Sequence, residues 1–418
     1  MKRLWPVFLA AACLGPVSSR GQGAEGAAAG INRLGLELYQ RQALRAPGAN
    51  VLLSPYSIAT ALAMTYPGAR GATRAELQSA LMLPADADEA GASYQGLARL
   101  LTEPAGRGSG LEDLFMLRGE GDSPVILDVA NRICVSGRLP IEPAFVRAVK
   151  DRFGSGVETV DFGSPDRIRD SVNSWVDRRT HGRIRGLIPP GMPSAGTRML
   201  LVNAIYMKAR WERPFPTRET REDRFLVRGA TPAPVQMMRN SGEFGYDKRA
   251  GYAVVTLPYA GGRLQFVLLL PNRPDGLAAL EERLDAGVLA GCRGLPRREV
   301  ALSLPRFTMA PETLMLAADL KTMGLGSAFD SPTGSADFAG IAPRSPDGYL
   351  VLGEVMHKAW IAVDEFSTEA AASTAVSTVK LAYEEPVVVR ADHPFLFMVQ
   401  HVATGACIFI GRVNDPAQ

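Results

Sequence analysis

The order of hydrophobic and polar positions divides this chain into a helical first part and a strand-rich remainder. Near the start, apolar residues follow the spacing of one helical face at Ile31, Leu34, Leu38 and Leu44. Pro47-Gly48 then ends the predicted helix. A short apolar strand over residues 50–53 precedes Ser54-Pro55, where Ser54 is the expected N-cap of a second helix and Pro55 its first residue.

Later segments predict the rest of the fold. Thr73, with Glu76 three residues on, predicts a capping box, and helical patterns cover residues 142–153 and 166–179. The segments that read as strands are residues 157–162, 199–207, 253–257, 264–271, 300–307, 355–363, 395–402 and 406–413. Many of them are almost wholly apolar, which predicts burial on both faces. Helices come first and strands later without βαβ alternation, so we expect an α+β fold with large mixed sheets.

Domain organisation follows from the absence of internal repeats and of a long linker after residue 26. We therefore expect one domain over residues 27–418. The chain is 46% hydrophobic and 21% charged with a net charge of +3, which is ordinary globular composition and gives no reason to expect a nucleic-acid partner. The four cysteines, Cys13, Cys134, Cys292 and Cys407, form neither a CxxC motif nor a Cys/His cluster. We expect no metal, no cofactor and no disulfide framework.

The amino terminus has the features of an export signal. Lys2 and Arg3 precede an apolar run over residues 4–14, far shorter than the roughly 20 residues that span a bilayer. Cys13 follows small residues, as in a lipidated bacterial lipoprotein, but the leucine usual three residues before it is missing. Plain cleavage and lipidation both stay open. Residues 1–26 are then a signal peptide, plain or lipoprotein-type, with a flexible tether. We expect a secreted protein, or one that reaches a membrane only through Cys13 as a lipid anchor at the cell surface.

Four segments resemble a known family. They are residues 50–73 (NVLLSPYSIATALAMTYPGARGAT), 197–215 (TRMLLVNAIYMKARWERPF), 355–374 (VMHKAWIAVDEFSTEAAAST) and 391–416 (ADHPFLFMVQHVATGACIFIGRVNDP). In this order they resemble the strand-and-helix signature, the central strand, the strand and hinge of the reactive loop, and the closing strand pair of the serpins, the serine protease inhibitor superfamily. The resemblance implies a single serpin domain with helices around large mixed β-sheets and an exposed reactive-centre loop at about residues 365–390.

The loop itself has a pattern that agrees with this resemblance. Thirty residues separate Asp364 from the strand that begins at Phe395, and a loop of this length in a compact domain is either functional or a solvated linker. Alternate positions are small or β-branched and uncharged at Thr368, Ala370, Ala372, Thr374, Val376 and Thr378. The other face carries one charge, at Glu369. This period of two makes the loop compatible with a strand.

The resemblance implies suicide inhibition. A serine protease cuts the loop, and the freed part inserts into a sheet and carries the acyl-enzyme with it. About 12–14 residues at roughly 3.3 Å each would move the protease about 40–46 Å. The family's scissile bond maps onto Leu381-Ala382, which suits chymotrypsin-, elastase- or subtilisin-like proteases. Lys380 would instead suit a trypsin-like enzyme and Tyr383 a chymotrypsin-like one. We expect a monomer that forms a covalent complex with its protease.

The family's other functional positions also map onto this chain. The hinge corresponds to Glu365, Ser367, Thr368, Glu369, Ala370, Ala371, Ala372 and Ser373. The shutter, a gate beneath the sheet, and the breach tryptophan correspond to Ser54, Ser57, Asn203, His357 and Trp211. Phe366 and Ser367 depart from the pattern, because a charged residue and a glycine usually stand there. These departures put fast inhibition in doubt.

Other function classes have less support. GxSxG, HExxH and GxxxxGK[ST] motifs do not occur, so we do not expect an enzyme. A non-inhibitory binding or carrier protein with the serpin fold is the alternative, and generic proteases would cut it cleanly without being trapped. A polyanion cofactor has little support, because residues 92–101 carry only Arg99. Arginines are denser over residues 167–185, where a solvated face is the simpler interpretation.

Overall fold

Two β-sheets form the centre of the molecule, with helices packed around them. The computed structural model describes residues 19–102, 125–346, 348–366 and 385–417. Within these residues the strands are β1 Val51–Leu53, β2 Val125–Ser136, β3 Gly156–Val160, β4 Met199–Ala209, β5 Arg221–Val227, β6 Thr231–Arg249, β7 Tyr252–Pro258, β8 Leu264–Pro271, β9 Arg297–Pro305, β10 Phe307–Met309, β11 Leu314–Met315, β12 Leu352–Val363, β13 Val387–Arg390, β14 Phe395–His401 and β15 Cys407–Val413. The helices are α1 Ser19–Arg45, α2 Pro55–Ala63, α3 Gly71–Leu81, α4 Ala87–Thr102, α5 Pro143–Phe153, α6 Pro165–Arg179, α7 Leu277–Glu281, α8 Ala286–Ala290 and α9 Ala317–Thr322, with 3₁₀ turns at Tyr66–Gly68, Thr217–Glu219 and Ser327–Phe329.

The larger sheet has nine strands in the order β1-β15-β14-β8-β7-β6-β9-β13, with β5 paired to β6. All pairs of neighbouring strands in this sheet are antiparallel except β9 and β13, which are parallel. Every residue of β8, β14 and β15 is buried, as their nearly unbroken apolar sequences predict. This sheet therefore supplies much of the core.

The smaller sheet has six strands in the order β10-β12-β4-β2-β3, with β11 paired to β12. Its β4–β12 and β2–β3 pairs are parallel, and the others are antiparallel. The strand predicted over residues 300–307 is divided at Arg306, where the chain leaves β9 in one sheet and enters β10 in the other. Two mixed sheets with surrounding helices confirm the predicted α+β class.

Of the two helix starts predicted from capping residues, the start of α2 is confirmed and the capping box of α3 is wrong. Ser54 caps α2 by accepting a hydrogen bond from the Ser57 backbone N–H at 3.1 Å, which confirms the predicted N-cap. The predicted capping box is wrong, because α3 begins two residues before Thr73. Thr73 and Glu76 instead accept backbone hydrogen bonds from Asp337 at 3.0 Å and Ser327 at 2.9 Å, so both side chains fix a distant loop.

The flexible tether predicted up to residue 26 is wrong over residues 19–26, which lie in the first turns of α1. Small residues in the first half of α1 allow this helix to pack closely against the rest of the domain. Ala24 is fully buried, and a side chain at Gly30 would come within 1.9 Å of the Leu81 carbonyl oxygen at the end of α3. The predicted apolar stripe ends before Leu44, which is 82% exposed. Among the described residues, none of the helices combines the length and apolar character needed to cross a bilayer.

A buried ion pair joins α1, α7 and β15. The Arg412 guanidinium, 4% exposed, donates to both oxygens of Glu281 at 2.9 and 3.1 Å. It also donates to the carbonyl oxygens of Ala43 at 3.2 Å and Ala49 at 2.9 Å, which lie at and beyond the end of α1. The Tyr39 hydroxyl donates to Glu281 at 2.6 Å. Every buried polar group here has a partner, so removing one leaves others unpaired.

We predict that Arg412→Ala lowers the free energy of unfolding by about 3–5 kcal/mol, because the Glu281 carboxylate stays buried without its cation. Glu281→Gln should cost less, since the amide keeps a hydrogen-bond acceptor. The matched control is Arg273→Ala, because the Arg273–Asp275 pair has a similar 2.9 Å contact but is 79% and 66% exposed. Its loss should change stability by less than about 1 kcal/mol. Urea midpoints measure all three, and equal losses for Arg412 and Arg273 would contradict the prediction.

Candidate functional site

The parallel boundary between β4 and β12 is the feature around which the predicted site residues gather. The two strands are aligned from Leu352 opposite Met199 to Ile361 opposite Met207, and we call this boundary the seam. Nearly all of β4 is buried, as its apolar sequence predicts. The helix α2 packs beneath the seam and presents its amino-terminal end to it.

Polar side chains occupy one register row across this sheet. Asn203 on β4 lies opposite His357 on β12 and opposite Asn131 on β2. Ser54 and Ser57 reach the same row from the start of α2. We call these five residues the gate, and each is no more than 5% exposed. The structure thus brings together the four positions that the sequence assigned to the shutter and adds Asn131.

The gate is held by a connected set of hydrogen bonds. The Ser54 backbone N–H donates to His357 Nε2 at 3.1 Å, so the imidazole proton lies on Nδ1 and is donated to the Asn203 carbonyl oxygen. The Asn203 amide in turn donates to the Ser57 carbonyl at 2.9 Å and also contacts the Ser57 hydroxyl and the Asn131 oxygen. One hydrogen bond of this set, between His357 and Asn203, crosses the seam.

Electrostatics keep the gate neutral. Burial lowers the pKa of His357 to about 3, because the imidazolium would lose its hydration. Ser54 Oγ donates to the Ile408 carbonyl at 2.6 Å and accepts from Ser57, so its hydroxyl is fully used by the backbone. Both ring nitrogens of His357 and the hydroxyl of Ser54 are already engaged in hydrogen bonds, so none of them is available to take a proton from a nucleophile. The arrangement holds two strands together.

The buried cysteines do not supply a nucleophile either. Cys134, Cys292 and Cys407 are free and buried. Burial raises the pKa of Cys134 to about 12 and that of Cys292 to about 11. Both thiols therefore stay protonated at neutral pH and are unreactive.

Trp211, the predicted breach tryptophan, lies just beyond the end of β4 and is 3% exposed. Its ring stacks on Tyr259, with centroids 4.6 Å apart and planes 9° apart, and meets Phe266 edge-on at 5.8 Å. Its indole N–H donates to the Asp364 carbonyl oxygen at 2.8 Å. The aromatic cluster therefore fixes the chain at the point where it leaves β12.

The residues after β12 are fixed at three further points. The Phe215 N–H donates to the Glu365 carbonyl at 2.9 Å, and the Phe366 N–H donates to the Asp364 carboxylate at 3.0 Å. The Glu365 carboxylate, 8% exposed, lies 3.9 Å from the Arg306 guanidinium. Glu365, the first predicted hinge residue, is thus a buried anchor. The chain returns to the described part at residue 385 and enters β13 at the edge of the larger sheet.

The remaining predicted site residues lie outside the described residues. They are Cys13, Ser367, Thr368, Glu369, Ala370, Ala371, Ala372, Ser373, Lys380, Leu381, Ala382 and Tyr383. Asn131 is the gate residue that sequence reasoning missed. Its strand, β2, is apolar apart from Asp128, Asn131, Arg132 and Ser136, and an asparagine inside an apolar segment was the available signal.

Comparisons with known proteins agree with this geometry. The family model described as Serpin (serine protease inhibitor) matches residues 29–416. Serpin B10 from Bos taurus is 34% identical over 397 residues, which cover 92% of this chain and 98% of that protein. The crystal structure of uncleaved ovalbumin superposes with a TM-score of 0.79 at 28% identity, covering 94% of this chain and 99% of that one.

Human thyroxine-binding globulin, solved in complex with thyroxine, also superposes with a TM-score of 0.79. The identity is 26%, and the match covers 94% of this chain and 99% of that one. The match to the family model extends over the two sheets, the gate and both ends of the segment that joins β12 to β13. On the family match and on the full-length relatives, the chain belongs to the serpin family.

Proposed function

We propose that this protein inhibits serine proteases as a suicide substrate, through cleavage at Leu381-Ala382, trapping of the acyl-enzyme and insertion of the cut loop into the seam. The observation that carries the proposal is the parallel pairing of β4 and β12, immediately beside the point where the loop leaves β12. Serine proteases are the partners of the family to which the chain belongs.

Strand direction makes the seam a suitable place for insertion. A strand formed after a turn beyond Val363 would run back along β12 and be antiparallel to it. Because β4 is parallel to β12, the same strand would also be antiparallel to β4. Both new ladders would then have the antiparallel geometry, which is slightly more stable per residue than the parallel pairing they replace.

The loop sequence fits that position. From Thr368 to Thr378 one face is small or β-branched and uncharged, so it can be buried without an unpaired charge. β4 and β12 span 11 and 12 residues, which matches a new strand of about 12 residues at roughly 3.3 Å each. Ser367 and Phe366 depart from the family pattern, but Phe366 stays beside the anchored Glu365 and Asp364.

Insertion requires the gate to open. Neighbouring strands lie about 4.8 Å apart, so one inserted strand would move β4 and β12 to about 10 Å apart. The hydrogen bond between His357 and Asn203 would break, and both groups would need new partners. The gate therefore opposes insertion until the loop is cut and its ladders can form.

The protease class and the location follow from the sequence. Leu381 favours a chymotrypsin-, elastase- or subtilisin-like protease, and the predicted amino-terminal signal supports a location outside the cell. Lipidation at Cys13 would hold it at a membrane surface, and plain cleavage would release it. A non-inhibitory binding protein is the second candidate, favoured by the likeness to thyroxine-binding globulin in complex with thyroxine.

We predict a denaturant-stable adduct between this protein and at least one protease of the named classes. Mass spectrometry of the released carboxy-terminal peptide should show Ala382 as its first residue. Leu381→Arg should shift inhibition toward trypsin. Lys380→Ala is the matched control and should leave the protease that the wild type inhibits unchanged. A peptide that starts at Leu381 or Glu384 would overturn the assigned bond. Clean cleavage by every protease, with full protease activity left, would favour the binding-protein alternative.

We predict that Thr368→Arg converts the inhibitor into a substrate while leaving folding unchanged. The arginine would have to enter the packed sheet without a partner, at a cost of at least about 3 kcal/mol, which slows insertion about 100-fold. Water would then hydrolyse the acyl-enzyme first. The matched control is Glu369→Arg on the opposite face, which should have a much smaller effect. The measurement is the number of inhibitor molecules consumed per protease inactivated.

Thermal melting before and after cleavage tests the same step. Cutting the loop should raise the melting temperature of the wild type sharply and that of Thr368→Arg much less. If both substitutions impair inhibition equally, or if cutting leaves the wild-type melting temperature unchanged, the insertion proposal is wrong.

We predict that acid weakens the gate through His357. Its pKa of about 3 lies below the ordinary value near 6.5, so an opened seam binds a proton more readily than the closed one. The stabilisation is complete above about pH 6.5 and is lost as the pH falls toward 3, at up to about 1.4 kcal/mol per pH unit.

Hydrogen exchange of the β4 and β12 amides measures this effect. His357→Gln should open more readily at pH 7.5 but show a flatter pH dependence between pH 6.5 and 4.5. His401→Gln is the control, because His401 is also buried, with its pKa lowered to about 4, but lies in the larger sheet. A seam exchange profile with the same slope in wild type and His357→Gln would disprove the role of the imidazole.

A further inference from the structure

The turn between β13 and β14 binds the end of β13 to the larger sheet, and we call residues 391–393 the corner. The Ala391 N–H donates to the Ser303 carbonyl of β9 at 2.8 Å, and the Leu226 N–H of β5 donates to the Asp392 carbonyl at 2.8 Å. Ala391 is fully buried. These two backbone hydrogen bonds hold the corner from two sides, and their amides report on whether it is closed.

The strand β13 has little else to hold it in place. It is the last strand in the order of the larger sheet, and it lies parallel to β9 over four residues. Val389 is buried, but Val388 is 69% exposed. A four-residue parallel strand at an edge has little stability of its own. The attachment of β13 therefore depends on the corner.

The His393 ring lies between two hydrogen-bond acceptors. Its Nε2 lies 2.8 Å from the Pro271 carbonyl at the end of β8, and its Nδ1 lies 2.9 Å from Asp392 Oδ1. Carbonyl and carboxylate oxygens only accept, and a neutral imidazole donates from one nitrogen only. Both contacts are hydrogen bonds only when His393 and Asp392 together hold one extra proton. His393 is buried, so water has little access to replace a lost partner.

The extra proton belongs on the imidazole. The hydrogen bond from His393 lowers the pKa of the Asp392 carboxyl below its ordinary value, although burial acts in the opposite direction. The Arg390 guanidinium, 3.4 Å from Asp392 Oδ2, lowers this pKa further. In the closed corner Asp392 is therefore a carboxylate and His393 an imidazolium.

The charged groups around this pair come from β5, β6 and β13. Asp223 of β5 accepts hydrogen bonds from Arg390 of β13, at 3.2 Å, and from Arg239 of β6. Arg390 thus lies between the carboxylates of Asp223 and Asp392. The imidazolium of His393 faces the Asp392 carboxylate directly, and the nearest cation is on the far side of that carboxylate.

The β8 and β14 sides add no direct charge to the ring. Beyond Pro271, Arg273 and Asp275 pair with each other at 2.9 Å and are largely exposed. The strand β14, which follows the corner, is uncharged from Phe395 to Gln400. The contact with Asp392 is therefore the one through which the charge of His393 acts on the corner.

We propose that the corner is a proton-dependent latch on β13, closed while His393 is an imidazolium and loosened when the ring becomes neutral. Once the proton leaves, the Nδ1 lone pair faces the Asp392 carboxylate and one of the two acceptors loses its donor. The ring then turns away from Asp392, or the corner opens. Histidine is the side chain that ordinarily changes charge between about pH 5 and 8, so the latch responds to the pH of the surroundings.

The direction of the pH dependence follows from the two groups. Because the pKa of Asp392 is lowered in the folded protein, its contribution is present above the ordinary range near about 4 and is lost on further acidification. The contribution of the imidazolium is lost as the pH rises and His393 gives up its proton. The corner is therefore held most firmly in mildly acidic solution and loosens toward alkaline pH.

In the inhibitor, the latch fixes the carboxy-terminal end of the loop. The strand β13 begins at Val387, soon after the proposed scissile bond at Leu381. A protease that binds the loop has less chain to order when the segment beyond that bond is already held. A loosened latch should therefore slow protease association. This effect rests on the proposed function, whereas the latch on β13 does not.

The experiment measures hydrogen exchange of the Ala391 and Leu226 amides in the full-length, uncut protein between pH 6 and 8.5. Each rate is divided by that of an unstructured peptide at the same pH, because exchange itself accelerates with pH. The wild type should lose protection about 10-fold over this range, the effect of losing a hydrogen bond to a charged group. Amides of β15 should keep their protection, which separates opening of the corner from global unfolding.

Asp392→Asn distinguishes the latch from general loosening. The asparagine amide can donate to a neutral Nδ1 while its oxygen accepts from Arg390, so a neutral His393 keeps both of its contacts. This variant should retain at pH 8.5 the protection that the wild type has at pH 6. His393→Gln should be less protected at pH 6 and show a flat profile. The matched control is Asp275→Asn, in the exposed pair beyond β8, which should behave as the wild type does.

The outcomes test the latch and the proposed function separately. A wild-type profile without pH dependence, or an Asp392→Asn corner that loosens at pH 8.5 as the wild type does, would overturn the latch. At pH 8.5 Asp392→Asn should inhibit a given protease faster than the wild type. The expected exchange profiles without any inhibition at any pH would support the latch and contradict the proposed function.

Discussion

The structure depends on a polar hydrogen bond placed where apolar contact would have been the simpler choice. His357 and Asn203 join β12 to β4 in a fully buried row, and each is satisfied only while the two strands stay adjacent. Because an unpaired buried polar group costs far more than a hydrogen bond gains, the closed seam is specified sharply. Apolar residues in the same row would have allowed β4 and β12 to move apart gradually.

The constraint extends outward from that row. Ser54 and Ser57 connect it to α2, and Asn131 connects it to β2. On the opposite face of the sheet, residues 180–188 lie over the same strands, where the Arg183 guanidinium lies over the Trp360 ring and that ring packs against Tyr206 of β4. Beyond the end of β12, Trp211 fixes the backbone at Asp364. A structure that holds one strand boundary from below, from above and at its end is suited to opening as a unit and not gradually.

The sequence predicted most of this fold because its core strands are simple. β8, β14 and β15 are nearly continuous apolar runs, and their bounds match the prediction within two residues. β6 was missed because it contains Pro232, Pro234, Gly242 and Gly245, and these residue types usually indicate turns. Only the structure shows that the prolines lie where the strand is at an edge and that side chains pack closely against the glycines. The tether was misjudged for the same reason, since small residues that permit tight helix packing have the composition of a flexible linker.

The candidate site was predictable only in part. Motif resemblance located Ser54, Ser57, Asn203 and His357, because each stands in a long and distinctive segment. Asn131 stands in a strand without such a signature, and its role depends on register with Asn203, which no local pattern encodes. The contact between His181 and Asp128 joins residues 53 positions apart and depends on how α6 lies on the sheet.

The buried start of α1 restricts how the chain can be matured. Ala24 is fully buried, and a side chain at Gly23 would come within 2.9 Å of the Ser93 hydroxyl of α4. A peptidase that cut after residue 26 would therefore divide a helix and uncover the face of α4 that these residues protect. Removal of the predicted export signal would have to occur upstream of these contacts, so the folded domain itself would set the downstream limit for processing. An anchored form attached at Cys13 would have only a few residues between its lipid and the first turn of α1.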